Sequence, residues 1–163
     1  MRNLNKKIPG APNFKYKEFI KSDTAIRFGV DNNPNEQQWE NIEDLAVNIL
    51  QPIREKFGRI RITSGFRCKR LNVLIGGSTS SNHCKGEASD IEPLEDGVSL
   101  FDILEFIVND LEFRNVILEF PPDGWVHVDY REDGNSKILK LKDRTHNYVK
   151  ISLKGIRDLY GNN

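Results

Sequence analysis

Cysteine, histidine and net charge are all scarce in this chain. Its 163 residues hold two cysteines and three histidines, and 24 Lys and Arg balance 24 Asp and Glu. Two cysteines cannot build the disulfide scaffold of a small secreted domain. Stability must therefore come from a hydrophobic core, which a chain of this length is able to bury as one domain spanning residues 1–163. A charge balance of zero directs the chain neither to nucleic acid nor to an anionic membrane. No apolar run approaches the roughly 20 residues that cross a bilayer, so no membrane insertion is expected. Met1 to Gly10 is basic but lacks the apolar stretch of a secretory signal, which implies synthesis in the cytoplasm. No repeat or low-complexity tract is present.

Because histidines are few, their placement is informative. His83 lies in Ser80-Ser81-Asn82-His83-Cys84-Lys85-Gly86-Glu87-Ala88-Ser89-Asp90-Ile91, seven residues before Asp90. His127 lies in Trp125-Val126-His127-Val128-Asp129-Tyr130, a run that alternates as a strand does. Imidazole and carboxylate together suit a borderline cation such as Zn²⁺, and a catalytic zinc site takes three protein ligands with one position open. His83, Asp90 and His127 are therefore the candidate metal ligands, and zinc is the expected cofactor. Taken alone, His127 would read as an ordinary histidine satisfied on a sheet surface. His146, among Arg144, Thr145 and Asn147, reads as a surface-loop residue.

Pro9, Gly10 and Pro12 among polar residues predict a flexible arm over residues 1–13. Phe14 to Ile20 is read as a short turn or helix with docked aromatics. From Glu36 to Phe57, apolar residues recur at three- and four-residue steps, which predicts a helix capped by Asn33 and bent or split at Pro52, with Gly58 ending it. A short strand over Arg59 to Thr63 leads to a helix near Lys69 to Ile75, and a polar loop from Ser78 to Asn82 delivers His83. Ala88 to Ile91 reads as a strand stopped by Pro93. Ser99 caps a helix from Leu100 to Leu111 with Leu100, Leu104, Ile107, Val108 and Leu111 as its buried stripe. Asn115 to Phe120 and Trp125 to Tyr130 form a hairpin around Pro121-Pro122-Asp123-Gly124. Period two then places Trp125, His127 and Asp129 on one face. Lys137 to Leu141 and Tyr148 to Leu153 form an edge hairpin, with a tail, in residues 133–163. The fold class is α+β, a mainly antiparallel sheet with helices packed on one face.

The motif His-x-x-Gly-x-Ala-x-Asp, followed about forty residues later by Trp-Val-His-Val, resembles the zinc D-Ala-D-Ala peptidase family, in particular its short single-domain carboxypeptidase-like branch. The same pattern recurs in the Hedgehog signalling fold. Ile62-Thr63-Ser64-Gly65-Phe66-Arg67, Leu71-Asn72, Ile75-Gly76-Gly77 and Ser81-x-His83 extend the resemblance, as do Glu18 to Ala25 and Asp31-Asn32-x-Pro34, so that it covers residues 14–132. It implies a Hedgehog/DD-peptidase-like fold and assigns roles. Arg67 stands where the family places an arginine near the scissile carbonyl, either to stabilise an oxyanion or to hold a substrate carboxylate. Ser81 resembles the family's Ser-x-His and is a candidate substrate contact. In the family a Glu on the strand before the ligand His acts as base, which here is Glu119. Relatives that keep a Glu three residues before that His meet Gly124 in this chain, and Asp123 and Asp129 stay in reserve. Gly86 and Ala88 are small so that the chain between ligands can turn and pack. Cys84 is left out of the ligand set because neighbouring residues 83 and 84 tend to point apart, and a Cys68–Cys84 disulfide is left open.

The resemblance implies a zinc metallopeptidase that hydrolyses an amide in peptidoglycan stem peptides or cross-bridges, either as a D,D-carboxypeptidase or as an endopeptidase. Lacking a secretory signal, it is expected to reach the wall after phage lysis or as a virion component, as an endolysin-like monomer. The competing expectation is a non-catalytic, zinc-stabilised module that binds cell wall or builds a virion.

Overall fold

The computed structural model describes residues 2–145 and 147–160, so the expectation for His146 lies outside the described residues. The amino-terminal segment is docked, which corrects the flexible arm expected over residues 1–13. Strands β1 (Lys7–Ile8) and β2 (Ala11–Lys15) pair antiparallel. Ile8 and Ala11 are buried in the main core. Gly10, at φ +78°, makes the Pro9-Gly10 pair a turn between them rather than a break. Arg2 forms ion pairs with Glu36 and Glu43 and lies over the rings of Tyr16 and Trp39.

Helices α1 (Tyr16–Ile20) and α2 (Asp23–Arg27) follow, the second capped by Ser22. Helix α3 (Glu36–Leu45) starts at Asn35 rather than Asn33, because Asn35 and Gln38 cap each other's backbone N–H groups. A π-helical segment, Ala46–Leu50, leads into α4 (Gln51–Phe57). Pro52 explains that segment: it donates no N–H and its ring crowds the carbonyl one turn back, so the turn before it widens and Gln51 bonds to Ala46. Trp39, Ile42, Leu45, Ile49, Leu50 and Ile53 are buried, each Leu or Ile contributing about 1.5–3 kcal/mol by leaving water.

The sheet is built from β3 (Ile60–Ser64), β4 (Ala88–Pro93), β5 (Asn115–Glu119), β6 (Trp125–Asp129), β7 (Ile138–Lys142) and β8 (Tyr148–Lys150), in the order β3-β4-β6-β5-β7-β8. Helix α5 (Lys69–Leu74) follows β3, α6 (Leu100–Asp110) follows β4, and α7 (Leu153–Tyr160) closes the described chain. Pairings are antiparallel except β5 with β7, which run parallel. The edge hairpin is thus β7–β8, joined to the sheet by a parallel pairing that local patterning did not predict. Helix α7, read from sequence as strand and tail, forms where Ile156 enters the core.

Alternation divides the sheet into two faces. Ile91, Val116, Leu118, Val126, Val128 and Leu141 face the helices and share one core with Leu100, Ile103, Leu104 and Ile107 of α6. Ile103 joins the expected α6 stripe, while Val108 and Leu111 lie partly buried at its margin. Residues of the other parity line up across strands on the opposite face. One row runs Ser64, Asp90, His127, Ile117, Lys140, Lys150. Among the described residues no helix is long and apolar enough to cross a membrane.

Candidate metal centre

Asp90 on β4 and His127 on β6 are direct antiparallel partners with side chains on the same face. Such pairs place their Cβ atoms about 4.5–5.5 Å apart, so the two groups converge without help from a loop. His83 arrives from the side, on a 3₁₀ turn over Asn82–Lys85. Helix α3 holds that turn: Gln38 Nε2 donates to Cys84 O at 2.9 Å and Asn41 Nδ2 to Lys85 O at 2.8 Å. Gly86 ends the turn at φ +79°, and a Cβ there would sit 2.4 Å from Gln38 O, so glycine is required on both counts.

His83 Nε2 lies 3.3 Å from Asp90 Oδ1 and 3.3 Å from His127 Nδ1, and His127 Nδ1 lies 2.8 Å from Asp90 Oδ1. The outer ring nitrogens are also engaged. His83 Nδ1 donates to Gly65 O at 2.7 Å, and His127 Nε2 to Asp129 Oδ1 at 2.7 Å. A carbonyl and a carboxylate only accept, so each ring carries a hydrogen on its outer nitrogen and turns the other nitrogen toward Asp90. Two imidazole nitrogens and one carboxylate oxygen, all within 4.8 Å of one another, fit a zinc ion.

Asp129, held in reserve as a base, stands behind His127. It is 2% exposed, and its Oδ2 accepts from Asn82 Nδ2 at 2.7 Å and Asn115 Nδ2 at 2.6 Å. Its geometry is that of a brace for the ligand ring. Sequence reasoning missed this role and both asparagines; the only available signal was the shared parity of residues 127 and 129. Gly65 braces His83 in the same way. A Cβ on Gly65 would meet Phe19 O at 2.4 Å, so the close approach of β3 to α1 that aims this carbonyl needs glycine.

Electrostatics follow from burial and proximity. Burial pushes Asp90 up, but the charges and hydrogen bonds of His83 and His127 outweigh it and hold Asp90 far below the ordinary carboxylate range. Burial works against a charged His127, yet its bonds to Asp129 and Asp90 and their charges push it up to about 10. Asp129 is likewise lowered, with His127, Asn115 and Asn82 overcoming its burial. Between these two carboxylates the protonated form of the His127 ring is favoured.

The ligands open into a cleft of about 580 Å³, also lined by Glu119, Arg67 and Ser81. Glu119 ends β5 opposite Trp125, is 6% exposed, and accepts from Lys142 Nζ at 3.0 Å through Oε2. Lys142 was not anticipated from sequence. Asp123 is exposed in the turn and lies outside the cleft lining. The Arg67 loop is stapled by buried Asn32, which donates to Ile20 O and Phe66 O and accepts from Cys68 N. Burial lowers the Arg67 guanidinium, opposed by Asp90, Cys84, Glu119 and Tyr148, and arginine remains a cation at neutral pH. Its Nε is buried without a hydrogen-bond partner among the described residues, a cost of about 1–3 kcal/mol that an incoming acceptor would relieve. Cys68 and Cys84 are free thiols, Cys68 Sγ capping α5 at Leu71 N.

This arrangement can hold a divalent cation beside a carboxylate and a guanidinium, which is what hydrolysis of a polarised carbonyl requires. No curated protein matches the chain. The model of the family described as Peptidase M15 matches residues 12–129, from the second strand of the amino-terminal hairpin through Asp129. The chain therefore belongs to the Peptidase M15 family of metallopeptidases.

Proposed function

We propose that the protein is a zinc-dependent peptidase that hydrolyses an amide bond in peptidoglycan stem peptides or cross-bridges, as a D,D-carboxypeptidase or endopeptidase of the kind a phage or prophage encodes. One observation carries the reading: His83 Nε2, Asp90 Oδ1 and His127 Nδ1 converge in the same cleft as Glu119 and Arg67. Membership of the Peptidase M15 family supports it.

In this reading His83, Asp90 and His127 hold the zinc. When bound there, zinc polarises the scissile carbonyl and acidifies water at the site. Glu119 is the general base. Lys142 holds its Oε2, which leaves Oε1 to take a proton from the attacking water and return it to the leaving amine nitrogen. Arg67 stabilises the negative charge that develops on the carbonyl oxygen. Ser81 borders the cleft with a hydroxyl that serves no other described group, and it binds the substrate backbone. A purely structural zinc takes four protein ligands, whereas three converge among the described residues.

Digestion of purified peptidoglycan, with mass spectrometry of the fragments, tests the activity and identifies the bond. Glu119→Gln keeps the shape and removes the basic oxygen, so zinc content should survive while turnover falls roughly 10²–10⁴-fold. Asp123→Asn should be close to wild type. Near-normal turnover in Glu119→Gln would remove Glu119 from the mechanism. Absence of any cleavage by the parent protein would favour the wall-binding module.

A further inference from the structure

Hairpin β7–β8 lies beyond residue 129, where the family match ends, yet it forms one wall of the cleft through Lys140, Lys142 and Tyr148. Register explains this. β7 runs beside β5 with Lys140 next to Ile117 and Lys142 next to Glu119. The row that begins with Asp90 and His127 therefore continues across Ile117 to Lys140, and on β8 to Lys150. Leu141, of the other parity, is buried in the core.

The three lysines are not equivalent. Lys142 is engaged with Glu119 and lies over the rings of Phe120 and Tyr148. Lys140 and Lys150 face each other across the strand pair, with no acidic partner among the described residues. Like charges directly opposite on neighbouring strands are destabilising, so this pairing is a cost to the fold that an anion would offset. The cleft lining contributes three cations, Arg67, Lys140 and Lys142, against three carboxylates, Asp90, Glu119 and Asp129. A divalent cation on the ligand set tips that balance positive.

The geometry points to a recognition site on this hairpin: Lys140 and Lys150 bind a free carboxylate of the substrate, two or three residues from the bond that is cut. The inference rests on the peptidase reading above. Lys140 is two strands from His127, about 10 Å at the usual spacing of about 4.8 Å. An extended peptide advances about 3.3–3.6 Å per residue, so this gap spans about three residues, fewer once the lysine side chains reach inward. Ile117 lies between as an apolar floor for the intervening residue. A carboxylate on the residue next to the cut bond would sit by Arg67 instead. In a wall stem peptide, the α-carboxylate of the γ-linked D-glutamyl residue has the required chemistry and separation from the D-Ala-D-Ala bond.

The test uses full-length, zinc-loaded Glu119→Gln protein and two synthetic stem pentapeptides that differ only in a free or amidated D-glutamyl α-carboxylate. Calorimetric titration should show the free acid binding about tenfold more tightly, the effect of two partly exposed charge pairs. Adding Lys140→Gln and Lys150→Gln should bring the ratio near one, while Lys154→Gln on α7, exposed and away from the row, should leave it. Equal affinities for the two peptides, a ratio that survives the double substitution, or no binding of either peptide would each overturn the site. Selective binding of the free acid, with no cleavage by protein that retains Glu119, would remove the peptidase reading and leave the carboxylate site standing.

Discussion

Asp129 offers a sharp test of how the candidate metal centre is held. Its carboxylate accepts three short hydrogen bonds, from His127 Nε2 at 2.7 Å, Asn82 Nδ2 at 2.7 Å and Asn115 Nδ2 at 2.6 Å. Asp129→Ala leaves all three donors without an acceptor in a site that is 2% exposed in the parent. At about 1–3 kcal/mol for each unsatisfied buried group, less whatever water recovers, the fold should lose several kcal/mol. The His127 ring also loses its orientation and part of its basicity, so zinc affinity should fall about 10–100-fold. Asp129→Asn keeps one oxygen for His127 but confronts two amide donors with a third, and it should fall between wild type and alanine. Competition with a chromophoric chelator gives the dissociation constants. A brace and a base then separate cleanly, because saturating zinc should restore much of the turnover of Asp129→Ala if Asp129 only positions His127. A wild-type zinc constant in Asp129→Ala, or a loss of turnover that excess zinc does not repair, would refute the argument.

Other outcomes can be measured on the same preparations. In protein stripped of metal with a chelator, His127 keeps its proton up to about pH 10, so calorimetry near neutral pH should show about one proton released per zinc, with affinity rising about tenfold per pH unit. The raised His127 stabilises the stripped fold fully below its unfolded value of about 6.5 and loses that contribution as pH climbs toward 10. The lowered Asp90 and Asp129 contribute above about 3.9 and lose it in stronger acid. Melting temperature of the stripped protein should therefore peak between about pH 4 and 6.5, and a flat profile from pH 5 to 9 would contradict the charge arrangement. Deleting residues 1–8 removes Ile8, which is 1% exposed. That burial is worth about 1.5–3 kcal/mol, and the loss should lower the melting temperature by about 3–12 °C, at roughly 2–4 °C per kcal/mol, with zinc content unchanged.

What could be read from sequence was what local pattern and spacing encode. The β5–β6 hairpin followed from two alternating runs around Pro121-Pro122-Asp123-Gly124, and the parity of β6 placed His127 on the face of Asp129. The three candidate ligands followed from scarce residue types at distinctive spacing, Glu119, Arg67 and Ser81 followed only from the family resemblance, and all six line one cleft. The amino-terminal arm was misread because Pro9, Gly10 and Pro12 carry the same signal in a free tail as in a tight turn. The difference lies in Ile8 and Ala11, two small apolar contacts whose partners come from elements later in the chain.

The supports of the site were illegible for a related reason. Each pairs residues whose separation along the chain is arbitrary, such as Asn82 with Asp129, Gln38 with Cys84, and Lys142 with Glu119. An asparagine or lysine in a polar stretch predicts solvent exposure until the register of the sheet is known. The parallel pairing of β7 with β5 is decisive here, since it alone places Lys142 beside Glu119 and Lys140 beside Ile117. Had β7 joined the sheet one residue out of register, Leu139 and Leu141 would face the cleft and both lysines the core. The burial of Leu141 thus fixes the charge of the cleft wall, and a packing requirement on one face of the sheet sets what the other face can recognise.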